Sequence, residues 1–220
     1  SPTSIKLIDK KQINSSNGER ISDVLKSSGN IFMKSYGSNA SLNTISLNGL
    51  GAEHTLILLD GKILNSFQNS QMDLSTIPKD KIEKIEIMNN GASSIYGSNA
   101  IGGVVNLITN NKVIDRPYIK LSASYGSYEQ KKVSTNFMNS SGKLNYDIFY
   151  SYEKSKDNFK YLYDNGIVKT EKERENNSFT ANNFYINLNY KLSKKNELKY
   201  NTSYFSQTRN LPGIEAGTPP

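Results

Sequence analysis

The sequence predicts a small α+β unit followed by an antiparallel β unit, and three observations carry that division. Ten of the fifteen glycines precede Pro117. Eighteen of the twenty-two Tyr and Phe residues follow it, twelve of the fourteen tyrosines among them. Past Pro117 the apolar residues also fall into sustained alternation with a period of two. One uniform domain would not partition this way. A boundary is therefore expected at about 111–117, giving domains at 1–115 and 118–220, and Pro117 disfavours helix in the residue before it.

In the first unit, residues 4–8 read as a short strand. Ile21, Val24 and Leu25 recur at helical spacing, with Gly29 placed to end the helix. Residues 44–47 and 55–59 are strands. Asp60-Gly61, between apolar triplets, is a two-residue hairpin signal. Residues 82–88 form another strand, 93–96 one helical turn and 103–109 the last strand.

The second unit alternates in five segments, 118–126, 131–139, 144–153, 184–192 and 198–205. In the third, Tyr146, Ile148, Tyr150 and Tyr152 oppose Asn145, Asp147, Ser151 and Glu153. Such alternation places one class on each face of a sheet. An outer-membrane barrel wall and a soluble sheet with one wet face both give it. Aromatic density favours the wall. Connections are short at 126–127, 140–143 and 193–196, whereas 154–178 is long and charged, with its mixed-sign stretch 169–175 reading as a solvated loop. Barrels keep short turns on the periplasmic side and long loops outside. On that rule 140–143 and 193–196 are periplasmic, and 154–178 and the tail from Arg209 are extracellular.

Composition narrows the chemistry. The chain has 220 residues, no Cys, one His (His54) and a net charge of +7. A disulfide framework, a zinc–thiolate site and a His-rich metal site or triad are therefore not expected. No apolar run reaches the roughly 18 residues of a membrane helix, and the N-terminus does not read as a signal peptide. The positive charge is scattered, and no run of Lys or Arg exceeds two residues. Nucleic acid is not expected as a partner, since the compact cationic footprint is missing. Glu83 and Glu86 are spaced to lie on opposite faces of a strand, His54 sits at a hairpin edge, and the glycines at 97, 102 and 103 match no phosphate loop. The expectation is a non-enzyme with no cofactor.

Residues 91–109 pack Gly91, Gly97, Gly102 and Gly103, a helical turn and a β-branched strand into one run. This run resembles the closing signature of the plug domain of TonB-dependent outer-membrane receptors. Four further stretches resemble that family in the same order: 21–25, 43–49, 54–61, and 73–78 with 82–87. The resemblance covers essentially the whole chain and is closest in style to receptors for cobalamin, catecholate siderophores and related chelates.

What the resemblance implies is an α+β plug domain followed by antiparallel transmembrane β-barrel strands, about five of them, from a plugged barrel of about 22 strands. The chain is thus expected to be a fragment. It implies a receptor in the outer membrane of a Gram-negative bacterium that binds a scarce chelate, a ferric siderophore, haem or cobalamin. TonB, with ExbB and ExbD, would drive import through a segment upstream of this chain, since no TonB box precedes the first strand here. A surface receptor or signalling plug-barrel that does not transport is the alternative. Family ligand contacts lie on plug loops, here 34–41 and 65–71. The ligand-binding candidates are Tyr36, Ser38, Asn39, Asn65, Phe67, Gln68 and Asn69, whose amides and hydroxyls can hydrogen-bond a polar chelate without desolvating a full charge. The candidates for plug–barrel contact are Asn48, Asn90, Tyr96 and Asn99. Asn48 and Asn90 stand where the family usually has arginines, so the forked cationic contact is replaced by an amide.

Overall fold

A computed structural model describes residues 5–28, 31–37, 41–89, 93–109, 114–164 and 166–213. The chain forms two compact units, Ser1–Lys112 and Val113–Pro220.

The first unit is built on a five-stranded sheet of β1 (Ile5–Ile8), β4 (Thr55–Leu59), β5 (Lys62–Ile63), β6 (Ile82–Met88) and β7 (Gly103–Thr109), ordered β1-β6-β7-β4-β5. β4 and β7 run parallel and the other neighbours antiparallel. Parallel strands need a long crossover, and the excursion from β5 through β6 to β7 supplies it. Two helices, α1 (Lys10–Ser15) and α2 (Ile21–Lys26), press Ile13, Ile21 and Leu25 onto Ile57, Ile85 and Val105 of one sheet face. On the other face Leu56, Leu58, Ala100 and Val104 form a smaller cluster with Met88 and Tyr96. Buried on both faces, β4 reads as a continuous apolar run, as an interior strand should.

Two elements depart from expectation. α1 was not anticipated. It carries one buried apolar residue, Ile13, and so shows no helical period. A capping box nucleates it, with Gln12 N donating to Asp9 Oδ1 at 2.9 Å and Asp9 N donating to Gln12 Oε1 at 3.0 Å. The second departure corrects the loop expected at 34–41: Lys34 and Ser35 belong to β2 (Phe32–Ser35), paired antiparallel with β3 (Asn43–Ser46). The helical turn expected at 93–96 is present as α3 (Ser93–Tyr96).

β7 enters the sheet through Gly102 and Gly103. A Cβ on Gly102 would lie 2.8 Å from the His54 carbonyl oxygen, and one on Gly103 would lie 2.6 Å from that of Met88. Gly103 also has φ +133°, where side chains are strained. At the other end of β7 the Asp60-Gly61 hairpin closes the sheet, with both residues at positive φ. Asp60 Oδ1 accepts from Thr109 N at 2.8 Å, and Oδ2 accepts from Thr109 Oγ1 at 2.6 Å.

The second unit is a meander of β8 (Tyr118–Gly126), β9 (Gln130–Ser141), β10 (Leu144–Ser155), β13 (Phe179–Lys191) and β14 (Glu197–Arg209), with every pair antiparallel. Register aligns the alternation across all five strands. One row is Ile119, Phe137, Ile148, Ile186 and Thr202, and the next is Leu121, Thr135, Tyr150, Phe184 and Tyr204. This apolar face is the open one, Leu121 being 75% and Tyr204 64% exposed. The opposite face holds buried polar groups, including Lys132, Ser134, Asp147, Ser151 and Glu153. Gln130 Nε2 donates to Glu153 Oε1 at 2.7 Å, and Asn183 Nδ2 to Ser151 Oγ at 3.3 Å. Met138, Phe149, Phe179, Ala181 and Tyr185 are buried among them, so this face mixes polar and apolar groups, whereas the open face is apolar.

The link 154–178 keeps the stretch 169–175, expected as a solvated loop, largely exposed, but not as plain loop. It contains a hairpin of β11 (Lys160–Asp164) and β12 (Lys169–Glu173). Lys160–Glu171 and Lys169–Asp164 ion pairs, at 3.1 and 2.9 Å, line one of its faces. At its base Asn177 Nδ2 donates to the main-chain and carboxylate oxygens of buried Asp157 at 2.9 and 3.0 Å, and Arg209 donates to Asn177 Oδ1 at 3.1 Å.

Asp60→Ala removes the two carboxylate acceptors that Asp60 offers buried Thr109. The expected cost is about 1–3 kcal/mol, read as faster native-state amide exchange at the end of β7 and in the β4–β5 hairpin. Unchanged exchange at Thr109 would show that the hairpin does not hold β7.

Candidate functional site

Two loops and a cleft gather on the first unit. The loop after β5 begins with Asn65, which is 7% exposed. Its Nδ2 donates to the carbonyls of Thr55 and Ser70 at 3.0 and 2.7 Å, and its Oδ1 accepts from Ile57 N at 2.6 Å. The amide is saturated by main chain, so Asn65 anchors the loop on β4 rather than presenting an amide to a ligand.

The loop then closes on itself. Ser66 N donates to Gln71 O and Ser70 N to Ser66 O, both at 2.9 Å. Gln68 N reaches Ser66 Oγ and Gln71 N reaches Asn69 Oδ1, both at 3.2 Å. Ser70 takes φ 54° to complete the turn. Phe67 stands at the crest, 102% exposed, with Gln68 and Asn69 exposed beside it. Ordering entropy is thus met within the loop before any ligand arrives.

The second loop joins β2 and β3. Tyr36 N donates to Leu42 O at 3.0 Å, and Asn43 N to Asp73 Oδ1 at 3.0 Å. Lys34 Nζ lies 4.7 Å from the centre of the Tyr36 ring, a cation–π contact that keeps both over one face of the hairpin. Ser38 and Asn39 lie outside the described residues.

Phe32, Lys34 and Tyr36 form one wall of a cleft of about 520 Å³, and Leu50, Glu53 and Gln71 contribute to the rest. Gln71 ends the Phe67 loop, so both loops meet at this cleft. Its volume suits a small ligand. The lining combines exposed aromatic rings, a cation, a carboxylate and an amide, which suits a polar chelate with aromatic parts and includes no nucleophile–base pair. Lys34 and Gln71 were not among the sequence candidates. The i, i+2 spacing of Lys34 and Tyr36 would have placed both on one face had β2 been recognised.

The described residues among those expected to contact a barrel have different surroundings. Asn48, at φ 54°, donates from Nδ2 to Gly102 O at 3.1 Å and to Asn89 O, engaging its amide within the first unit. Tyr96 is half-buried on the Leu56–Val104 cluster, whereas Asn99 is exposed. Asn90 lies outside the described residues.

The second unit adds a separate surface on the β11–β12 hairpin. Lys172 Nζ lies 3.9 Å from the Tyr163 ring centre and the Arg174 guanidinium 5.8 Å from that of Tyr161. Phe159 packs edge-on against Tyr161 and Tyr128 at 6.3 Å. Three aromatic rings and two cations thus share a rigidly based arm.

Comparison with known proteins gives a consistent pattern. Residues 1–104 match the family model for the TonB-dependent receptor plug domain. Among solved structures, a mutant of the ferric enterobactin receptor PfeA from Pseudomonas aeruginosa, in complex with enterobactin, aligns with a TM-score of 0.71 and 18% identity over 95% of this chain and 34% of its own. The siderophore receptor PirA from Acinetobacter baumannii aligns with a TM-score of 0.70 and 22% identity, over 95% and 32%. The pyoverdine receptor FpvA from P. aeruginosa gives 0.75 and 15%, over 94% and 25%. The chain spans about a third of the length of the first two receptors and a quarter of the third.

Asn65→Ala is expected to release the Phe67 loop, leaving Ile57 N–H and two carbonyls unpaired at a cost of roughly 1–3 kcal/mol. Amide exchange at Ile57 should rise accordingly, while Phe67→Ala leaves it unchanged. Equal exchange in both variants would mean the loop is held by other contacts.

Proposed function

From the match of residues 1–104 to the TonB-dependent receptor plug domain, we propose that the chain is the plug and first barrel wall of an outer-membrane receptor importing a ferric siderophore. The observation that carries the reading is that a plug domain is followed in the chain by an antiparallel sheet with one apolar face exposed along all five strands. Bacterial outer membranes are crossed by such walls.

The apolar rows from Leu144 to Tyr152 span roughly 27 Å along β10. A strand tilt of about 40° reduces this to about 20 Å, close to the apolar band of roughly 25 Å in such barrels. Tyr190 and Tyr200 lie towards one margin, and Tyr125 and Tyr152 towards the other. Amphipathic rings favour both interfaces.

The siderophore assignment draws on the receptors for enterobactin and pyoverdine that share the fold, and on the cleft's own chemistry. Phe32 and Tyr36 offer stacking surfaces, Gln71 offers uncharged hydrogen bonds, and Lys34 offers charge for an anionic chelate. Import would require TonB, energised by ExbB and ExbD, to act on a segment upstream of Ile5. Ligand must then favour the state in which that segment is accessible, since a ligand indifferent to the two states shifts neither.

Two measurements test this. In the full receptor, Tyr36→Ala with Phe67→Ala should raise the Kd for its ferric siderophore about tenfold, equivalent to about 1.4 kcal/mol, and slow iron-limited growth. Retained affinity and growth would move the ligand site away from the plug cleft. Ile148→Arg, in the middle of the apolar belt, should cost about 2–4 kcal/mol of membrane stability, whereas Ser203→Arg on the opposite face should insert normally. Equal insertion of both would refute the membrane wall.

A further inference from the structure

We propose that the cleft of the first unit selects its chelate by charge, with Glu53 as the residue that sets the selection. The ligand it takes is a ferric chelate of net charge near zero, of the trihydroxamate kind, rather than a triply negative tris-catecholate. The proposal rests on the siderophore reading of that cleft and goes beyond it in naming the chelate class.

Among the described residues that line the cleft, Lys34 and Glu53 alone are charged. The loop 65–71 adds no charge, since it consists of Asn, Ser, Phe and Gln, and residues 36–42 add none either. Lys34 holds its ammonium over the Tyr36 ring and makes no ion pair among the described residues. Glu53 lies in a single tight turn, Ala52–His54, that leads into β4. Its carboxylate lies back over Gly51, in the space a Cβ there would need. His54 Nε2 is 3.8 Å from Glu53 Oε1, beyond hydrogen-bond reach. The carboxylate accepts no hydrogen bond among the described residues.

Opposite charges that share a cleft without pairing leave both for the ligand. Lys34 suits an anionic chelating oxygen. Glu53 opposes any excess of negative charge, because its repulsion of an anion grows in proportion to the charge of that anion. The Glu53 side chain is half-exposed, so salt weakens this repulsion without removing it. The two residues together favour a ligand that brings an anionic group for Lys34 and little net charge for Glu53 to repel.

A chelating hydroxamate carries a single negative charge, and a chelating catecholate a double one. Three hydroxamates therefore cancel the charge of ferric iron, whereas three catecholates leave a triply negative complex. The trihydroxamate still presents anionic oxygens to Lys34. Amide N–H and hydroxyl groups of its linker can donate to the Glu53 carboxylate, a charge-assisted bond. Gln71, also in the lining, can both donate to and accept from linker amides. Phe32 and Tyr36 take the carbon chain on their faces. Net charge, rather than aromatic content, separates the two classes at this cleft.

The test measures binding of radiolabelled iron chelates to the full receptor in detergent. The panel holds uncharged ferric trihydroxamates, ferrichrome among them, and triply negative ferric tris-catecholates, ferric enterobactin among them. Trihydroxamates are expected to bind more tightly to the unaltered receptor. Glu53→Gln should raise the affinity for tris-catecholates about tenfold, and Lys34→Gln should lower it about tenfold. Neither change should move trihydroxamate binding by more than about twofold. Glu53→Asp, which keeps the charge, should leave the order of the two classes as it was. A change that only loosens the cleft would move both classes in the same direction, and that result would overturn charge selection. Unchanged tris-catecholate binding by Glu53→Gln would overturn the role of Glu53. Tighter binding of tris-catecholates by the unaltered receptor refutes this inference alone, whereas binding of neither class refutes the siderophore reading on which it rests.

Discussion

Strand register is the constraint on which the second unit depends. Side chains alternate with a period of two, so a slip of one residue between any two neighbours would move an entire strand's apolar set to the polar face. The pairing of β13 with β14 runs from Phe179–Arg209 to Lys191–Glu197 without interruption, and β10 carries the same rows to β9 and β13 on its two sides. Short connections such as the one at Gly142, where φ is +58°, leave little slack for a slip. The exposed belt and the buried polar row are two results of that single alignment.

In the first unit the corresponding control is exerted by backbone groups. Gly102 and Gly103 let β7 approach the main chain of His54 and Met88, and Asn48, Asn65 and Asp60 then satisfy loop and strand-end polar groups that the sheet cannot. Each of these amides or carboxylates sits where two segments meet. Leaving such a group unpaired costs more than a hydrogen bond normally contributes. The loop that presents Phe67 is therefore rigid for reasons lying beneath it, on β4, rather than in its own composition.

Much of this was legible in the sequence where periodicity was strong. The alternation of Tyr146, Ile148, Tyr150 and Tyr152 marks β10, and Asp60-Gly61 marks its hairpin, because both signals are local. α1 was not legible because Ile13 is its only buried residue, although the Asp9 and Gln12 box would have marked its start. The β11–β12 hairpin was hidden by its charges: residues such as Lys160 and Glu171 read as solvated chain until their pairing across the turn is known. The Asn65 assignment misled for another reason. An Asn that bonds backbone and one that faces a ligand look alike in sequence, since the partners of the former are main-chain atoms that no residue name displays.

β1 occupies the edge of its sheet, contributes four residues and buries only Ile8 among them. In mechanical terms it is a peripheral link of the unit. A load applied to the chain ahead of Ile5 meets β1 first, and only four residue pairs join β1 to β6. The β6-β7-β4 layers, locked by the glycine pair and by Asp60, lie behind it in series. Such a layout confines early yielding to the periphery and leaves the loop anchored by Asn65 undisturbed until a greater extension.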